Sequence, residues 1–214
     1  MYSLTMRQLV VYCADIGSVA RGRFGWARGA QSGRSLRITT KSTDIRKLVA
    51  RVARDLNAVT PVTMGFECPL FVPAVNDPNK LTRARVGEGS RPWSAAAGAG
   101  ALVTGLTEVL WVLQQLQSRL SSTQPVYVSW PEFAHAGRGL FLWEAFVTST
   151  AKGKSHIDDA EEAVRAFWGS LPNPEAANAI HEMRVHSLLG AALLRSGWSK
   201  DLGLLEIPCL VIKA

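Results

Sequence analysis

Two acids close the two most apolar runs of the chain. Asp15 ends "LVVYCAD" and Glu67 ends "PVTMGFE", in a sequence of which only 19% is charged. Continuous apolar runs of this length read as strands buried on both faces, so each acid stands at a buried strand end. Two such carboxylates repel each other when brought together, and burying either one unpaired is expensive. A hard divalent cation, Mg²⁺ or Mn²⁺, resolves both problems because it takes carboxylate oxygen. The plainer alternative has Asp15 capping the turn at Ile16–Ser18 and Glu67 paired with an arginine of the loop that follows.

A third acid comes from "SHIDDAEEAVRAF", which has the period of an amphipathic helix with Ala160, Ala163, Val164 and Phe167 on its apolar face. At about 100° per residue, Asp158 points nearly opposite that face and Asp159 lies at its edge, roughly 90° from the centre. Asp159 can therefore reach a site at a sheet margin while Asp158 meets solvent. An acid pair favoured by the helix dipole accounts for both aspartates equally well, but it does not account for His156, which falls on the apolar side.

Other motifs fail on spacing. "AKGKS" (Ala151–Ser155) lacks the P-loop glycine five positions before Gly153, where Thr148 stands. His181 and His186 in "HEMRVH" are i, i+5, about 140° apart on a helix, and cannot share a metal as an i, i+4 pair does. "GEGSRPW" follows no strand and contains no GxGxxG.

The net charge of +7 is unevenly placed. Residues 1–91 carry 15 Lys/Arg against 6 Asp/Glu, and residues 92–214 carry 9 against 11, so the first part stands at +9 and the second at −2. A basic half suits a polyanion such as nucleic acid. Arg21 and Arg23 stand near Asp15 in sequence and are candidates to flank a phosphate. Lys80, Arg83, Arg85 and Arg91 lie in the Pro-, Gly- and Asn-rich stretch 68–93, a long loop of the kind that usually carries function, and are candidates to grip a nucleic-acid backbone. Trp93 suits either stacking on a base or anchoring the start of the next helix.

These side chains need a scaffold. Leu9–Asp15, Arg23–Gly29 and "SLRITT" read as an antiparallel meander with turns at Ser18–Gly22 and Gln31–Gly33. A helix follows in "STDIRKLVARVARDLN", capped by Ser42 or Thr43, then the strand Val62–Glu67 and a long helix from about Ser94 to about Leu120. That helix contains Glu108, Gln114, Gln115 and Arg119 and reads as a core helix, not a membrane span. "PVYVSW" is a further strand, "GLFLWEAFVTST" is open between strand and helix, and the acidic helix comes next. A last long helix runs from Pro174 to Gly197, and "LEIPCLVIK" is a final strand. Cys13, Cys68 and Cys209 are odd in number and lie in apolar runs without CxxC spacing, which suits a reduced, cytoplasmic protein. No basic and apolar leader opens the sequence, and no internal repeat or linker divides it, so residues 1–214 read as one domain.

The order meander, helix, strand, helix, strand, acidic helix resembles the ribonuclease H-like superfamily. "DIGS" with a following "GWA" resembles the first motif of its RuvC-type resolvase branch, "GFECPL" the second, and "HIDDA" the H-x-x-D-A motif of the late helix, with His156, Asp159 and Ala160 in register. "ADIGS", "GFECPLFVP", "RPWSAAAGAG" and "PCLVIK" together resemble a poorly characterised group of predicted nucleases in that superfamily. The resemblance covers most of the chain. It implies an α/β fold with a mixed sheet of five or more strands, an antiparallel meander, helices on both faces, and here extra C-terminal helices and a strand. It also implies that Asp15, Glu67 and Asp159 hold Mg²⁺ or Mn²⁺ for hydrolysis of phosphodiester bonds in DNA or RNA. The chain departs from the pattern in the long gap between Asp15 and Gly25, in the added segment from Trp130 to Ser155, and in the last helix. That helix could supply Glu182 as the third acid in place of Asp158 or Asp159. A non-catalytic module of the same fold, binding nucleic acid or a protein, is the alternative. A homodimer stays open and a membrane partner is not expected. An actin-like ATPase would need two such domains around its nucleotide.

Overall fold

The computed structural model describes residues 9–32, 35–89, 92–148 and 151–214. Its centre is a mixed sheet. The strands β1 (Val10–Asp15), β2 (Gly25–Ser32) and β3 (Ser35–Ser42) form an antiparallel meander. On the other side of β1 lie β4 (Val62–Glu67) and then β7 (Leu140–Phe146), each parallel to its neighbour. The order is β3-β2-β1-β4-β7-β6, where β6 is the short strand Val126–Tyr127. The last strand, β9 (Val211–Lys213), also pairs with β7. The strand β5 (Phe71–Pro73) pairs away from the main sheet with β8 (Val185–Ser187).

The alternation of β1 sorts the core into two layers. Val10, Tyr12 and Ala14 pack on one face, with α1 (Ile45–Asn57), α2 (Ala96–Gln117) and α5 (Leu188–Ser196). Leu9, Val11 and Cys13 pack on the other, with α3 (Trp130–Ala136) and α4 (His156–Gly169). Both faces of β1 are covered, as a continuous apolar run requires. In the second layer Trp143 stacks on Phe167 at 4.6 Å between ring centroids, fastening α4 to β7.

Several sequence expectations are corrected. The cap of α1 is Asp44, whose carboxylate accepts from the backbone N–H groups of Arg46 and Lys47; Ser42 instead accepts from Asp44 N–H. "GLFLWEAF" is a strand because it is buried on both faces between β4 and β9. "PVYVSW" contributes only the two residues of β6. The long helix expected from Pro174 to Gly197 is broken. A 3₁₀ turn at Pro174–Ala177 and the strand β8 precede a helix that begins only at Leu188. Between them the backbone bonds outward, with Ala179 N–H donating to Val211 and His181 N–H to Val86, while Arg184 C=O accepts from Ala74 N–H. The final strand shortens to Val211–Lys213: Leu205 and Glu206 belong to the 3₁₀ turn Leu202–Glu206, and Pro208 has no N–H for a strand ladder.

The core-helix reading of α2 holds for its second half, where Val109, Val112, Leu113 and Leu116 are buried. The first half exposes Val103 and Leu106. Among the described residues, α2 is the one helix with the length and apolarity of a membrane span.

Candidate metal centre

Asp15 and Glu67 lie directly opposite each other in the parallel β1–β4 register. Partners across a register point to the same face, here the face that α4 covers. The close approach of α4 depends on Gly25. A Cβ at that position would lie 2.4 Å from the His156 carbonyl carbon, so only glycine lets the start of α4 sit against β2. That contact delivers Asp159. Its carboxylate and those of Asp15 and Glu67 offer oxygens that all lie within 4.8 Å of one another. Asp158 is half-exposed, as the helix geometry implies.

The surroundings of the triad are sparse. His156 Nδ1 and Asp15 Oδ2 share a hydrogen bond whose direction follows the imidazole tautomer. Gly153 N–H donates to Asp159 Oδ1. The Lys152 ammonium, half-exposed, stands 3.9 Å from Glu67 and 3.8 Å from Asp159. Glu67 Oε2 is buried and has no hydrogen-bond partner among the described residues. Burial is the largest cause that pushes Asp15 above the usual carboxylate range; the charge of Asp159 adds to it, while Glu67 and Lys152 oppose it. Burial also raises Glu67, reinforced by the charge of Asp15 beside it. Among the described residues neither plainer alternative is seen. The hydrogen-bond partner of Asp15 is His156, not the turn after it, and the cation beside Glu67 is Lys152, not a loop arginine.

Arg21 and Arg23 are exposed and line a cavity of about 450 Å³ onto which Asp15 and Glu67 also open. Trp93 lines it too, with its indole N–H donating to the Arg83 carbonyl at 2.9 Å. Arg85 is the main correction. It is 2% exposed, and its guanidinium is engaged by Glu144 at 2.6 Å and Glu88 at 3.0 Å, so it pins the loop to β7 and has no free charge for a backbone phosphate. Arg83 is committed as well, through a bidentate pair with Glu182 at 2.7 and 2.6 Å. Glu182 also accepts from Val86 N–H, so it belongs to the loop and is not the third acid of the triad. Lys80 is exposed beside Asp77 and is not among the residues lining the cavity. Arg91 lies outside the described residues.

Two acids were missed. Glu144 interrupts the apolar run "LFLWEAF", the same signal that marked Asp15 and Glu67. Glu108 is the one acid of α2. Burial pushes its carboxyl up to about 7, opposed by the backbone N–H groups of Gly17 and Val19 in the turn that carries Arg21.

Comparison of the chain with protein-family models, with curated proteins and with solved structures returns no match.

Proposed function

We propose that the chain is a ribonuclease H-like, divalent-metal-dependent hydrolase that cleaves phosphodiester bonds of nucleic acid. The observation that carries the reading is the convergence of Asp15, Glu67 and Asp159 from two adjacent strands and a helix. The strand order supports the fold assignment: an antiparallel meander is extended on the β1 side by parallel strands. The donor set fits Mg²⁺ or Mn²⁺, since all three groups are carboxylates and one buried oxygen, Glu67 Oε2, has no hydrogen-bond partner among the described residues.

Asp15, Glu67 and Asp159 would hold the cation. A bound divalent cation supplies activation of water and stabilisation of charge on the departing oxygen. The chain's own residues do the rest. His156 fixes the orientation of the Asp15 carboxylate through Nδ1, and the Gly153 N–H does the same for Asp159. Arg21 and Arg23, exposed at the cavity, attract a phosphate and orient it toward the acids.

The position of Lys152 favours a second reading. An ammonium beside Glu67 and Asp159 partly neutralises the triad, which a non-catalytic module could use in place of metal. Cleavage of a labelled oligonucleotide in Mg²⁺ or Mn²⁺, lost in EDTA and in Asp15→Asn, is the expected result. No cleavage, together with a melting temperature that ignores millimolar Mn²⁺, would leave the non-catalytic reading.

A further inference from the structure

The cavity beside the triad has a second part whose chemistry differs from that of the acids. Its wall is the first turns of α2, where Ala97, Gly98, Gly100 and Ala101 present little beyond backbone. Gly98 is small for a packing reason: a Cβ there would meet the Pro92 carbonyl oxygen at 2.4 Å. Gly100 has no such reason. Among the described residues a Cβ at Gly100 meets nothing within 4 Å, and its φ is not in the left-handed region. Gly100 is exposed on α2 and glycine inside a helix is disfavoured relative to alanine, so packing of the described residues does not require a glycine there.

The rest of the recess suits a flat, uncharged group. Trp93 contributes an aromatic ring whose N–H is already bonded to Arg83, which fixes the ring in place. The floor is polar but internally satisfied, because Arg85 is paired with both Glu144 and Glu88. Among these described floor residues an ionic ligand finds no unpaired partner, whereas a neutral planar one enters without uncovering a charge. The same cavity is also lined by groups with the opposite requirements, the exposed Arg21 and Arg23 and the carboxylates of Asp15 and Glu67. A volume of about 450 Å³ lies within the ordinary range of small-ligand sites.

We infer that this recess is a subsite for one unstacked nucleobase, which places the attached phosphate between the arginines and the acidic triad. The inference rests on the proposed phosphodiesterase reading for the phosphate end and names its substrate class. A base paired within a duplex cannot enter a walled recess without leaving its stack. The substrate is therefore single-stranded nucleic acid, or a free nucleotide of the same chemistry, and not intact duplex.

The test measures binding, so it does not depend on turnover. A fluorescein-labelled single-stranded 12-mer and its annealed duplex are titrated by anisotropy in Ca²⁺ and again in EDTA, and AMP is titrated by calorimetry. The single strand is expected to bind at least about tenfold more tightly than the duplex, consistent with loss of base–aromatic stacking. Gly100→Leu, which fills the open space, and independently Ala101→Leu, should each weaken single-strand and AMP binding about tenfold or more. Both should keep the Mn²⁺-induced rise in melting temperature. A strand that binds more tightly than AMP assigns the recess to polymer, and the reverse assigns it to free nucleotide. Equal affinity for strand and duplex, or two folded variants that bind as the parent does, overturns the inference. If Mn²⁺ fails to stabilise the parent while strand binding remains sensitive to Gly100→Leu, the metal reading fails and the base recess stands.

Discussion

Replacing Asp15 by asparagine removes one of two buried carboxylates that stand opposite each other on β1 and β4, yet keeps an oxygen that can accept from His156 Nδ1. Burial, more than any charge, raises both Asp15 and Glu67 above their ordinary range. A carboxyl raised on folding contributes stability that is fully present below its unfolded pKa and is lost as pH rises through the folded value. The metal-free protein should thus lose stability as pH rises from about 4 through the raised values of the pair, and Asp15→Asn should flatten that fall. Each tenfold rise in proton affinity on folding corresponds to about 1.4 kcal/mol, and a chain of this size moves about 2–4 °C per kcal/mol. A rise of only about tenfold across the pair therefore gives the variant an advantage of about 3–6 °C at alkaline pH in EDTA. Mn²⁺ reverses the order. At about a hundred times its Kd it adds about 2.7 kcal/mol to the parent, or about 5–11 °C, and should add little to the variant. Thermal melts at pH 5, 7 and 9, each in EDTA and in Mn²⁺, read both effects. An Asp15→Asn protein that melts lower than the parent in EDTA at every pH, with neither protein responding to Mn²⁺, would show that Asp15 serves only as a structural partner of His156.

Other outcomes follow from the same geometry. Arg85→Met leaves Glu88 and Glu144 buried without their cation and should cost about 3–5 kcal/mol, read as a lower urea midpoint. Charge reversal of Arg21 and Arg23 together, both exposed, should leave that midpoint nearly unchanged. It should weaken single-strand binding and flatten its log–log salt slope by about 0.7 for each phosphate no longer neutralised. Lys152→Met removes the ammonium that competes for Glu67 and Asp159. Calorimetry should show tighter Mn²⁺ binding than in the parent, and weaker binding would mean that Lys152 preorganises the acids.

The parts of the site legible in the sequence are those set by short-range periodicity. Asp15 and Glu67 each end an unbroken apolar run, and the parallel pairing of two such strands brings their ends level. Asp159 separates from Asp158 by a single step of about 100° on a helix whose apolar face is clear. What stayed hidden depends on partners far along the chain. A charge in a Pro- and Gly-rich loop reads as a surface charge, but the partner of Arg85 is Glu144, 59 residues away. The segment before α5 kept a helical pattern in sequence, yet its backbone groups are taken by β9, by the loop at Val86 and by the chain after β5. Non-local hydrogen bonds overrode local propensity there.

Glu144 explains why the third acid must come from a helix. Three neighbouring strands, β1, β4 and β7, each carry an acid near their ends. Asp15 and Glu67 are register partners, but Glu144 pairs with Phe66, one residue short of Glu67. Because side chains alternate across a strand, that offset of one turns Glu144 to the opposite face of the sheet. There it lies with Arg85, Glu88 and the N–H of Leu70, away from the triad. If Glu144 were level with Glu67, three strand-borne carboxylates would crowd one face with no cation of their own. The one-residue stagger sends one acid to hold the loop that carries Trp93 and leaves two on the face of α4, and the third acid of the triad comes from α4 through the contact that Gly25 permits. The loop and the acidic triad are thus set by neighbouring strands of one sheet, on its two faces, and residues of both line the cavity.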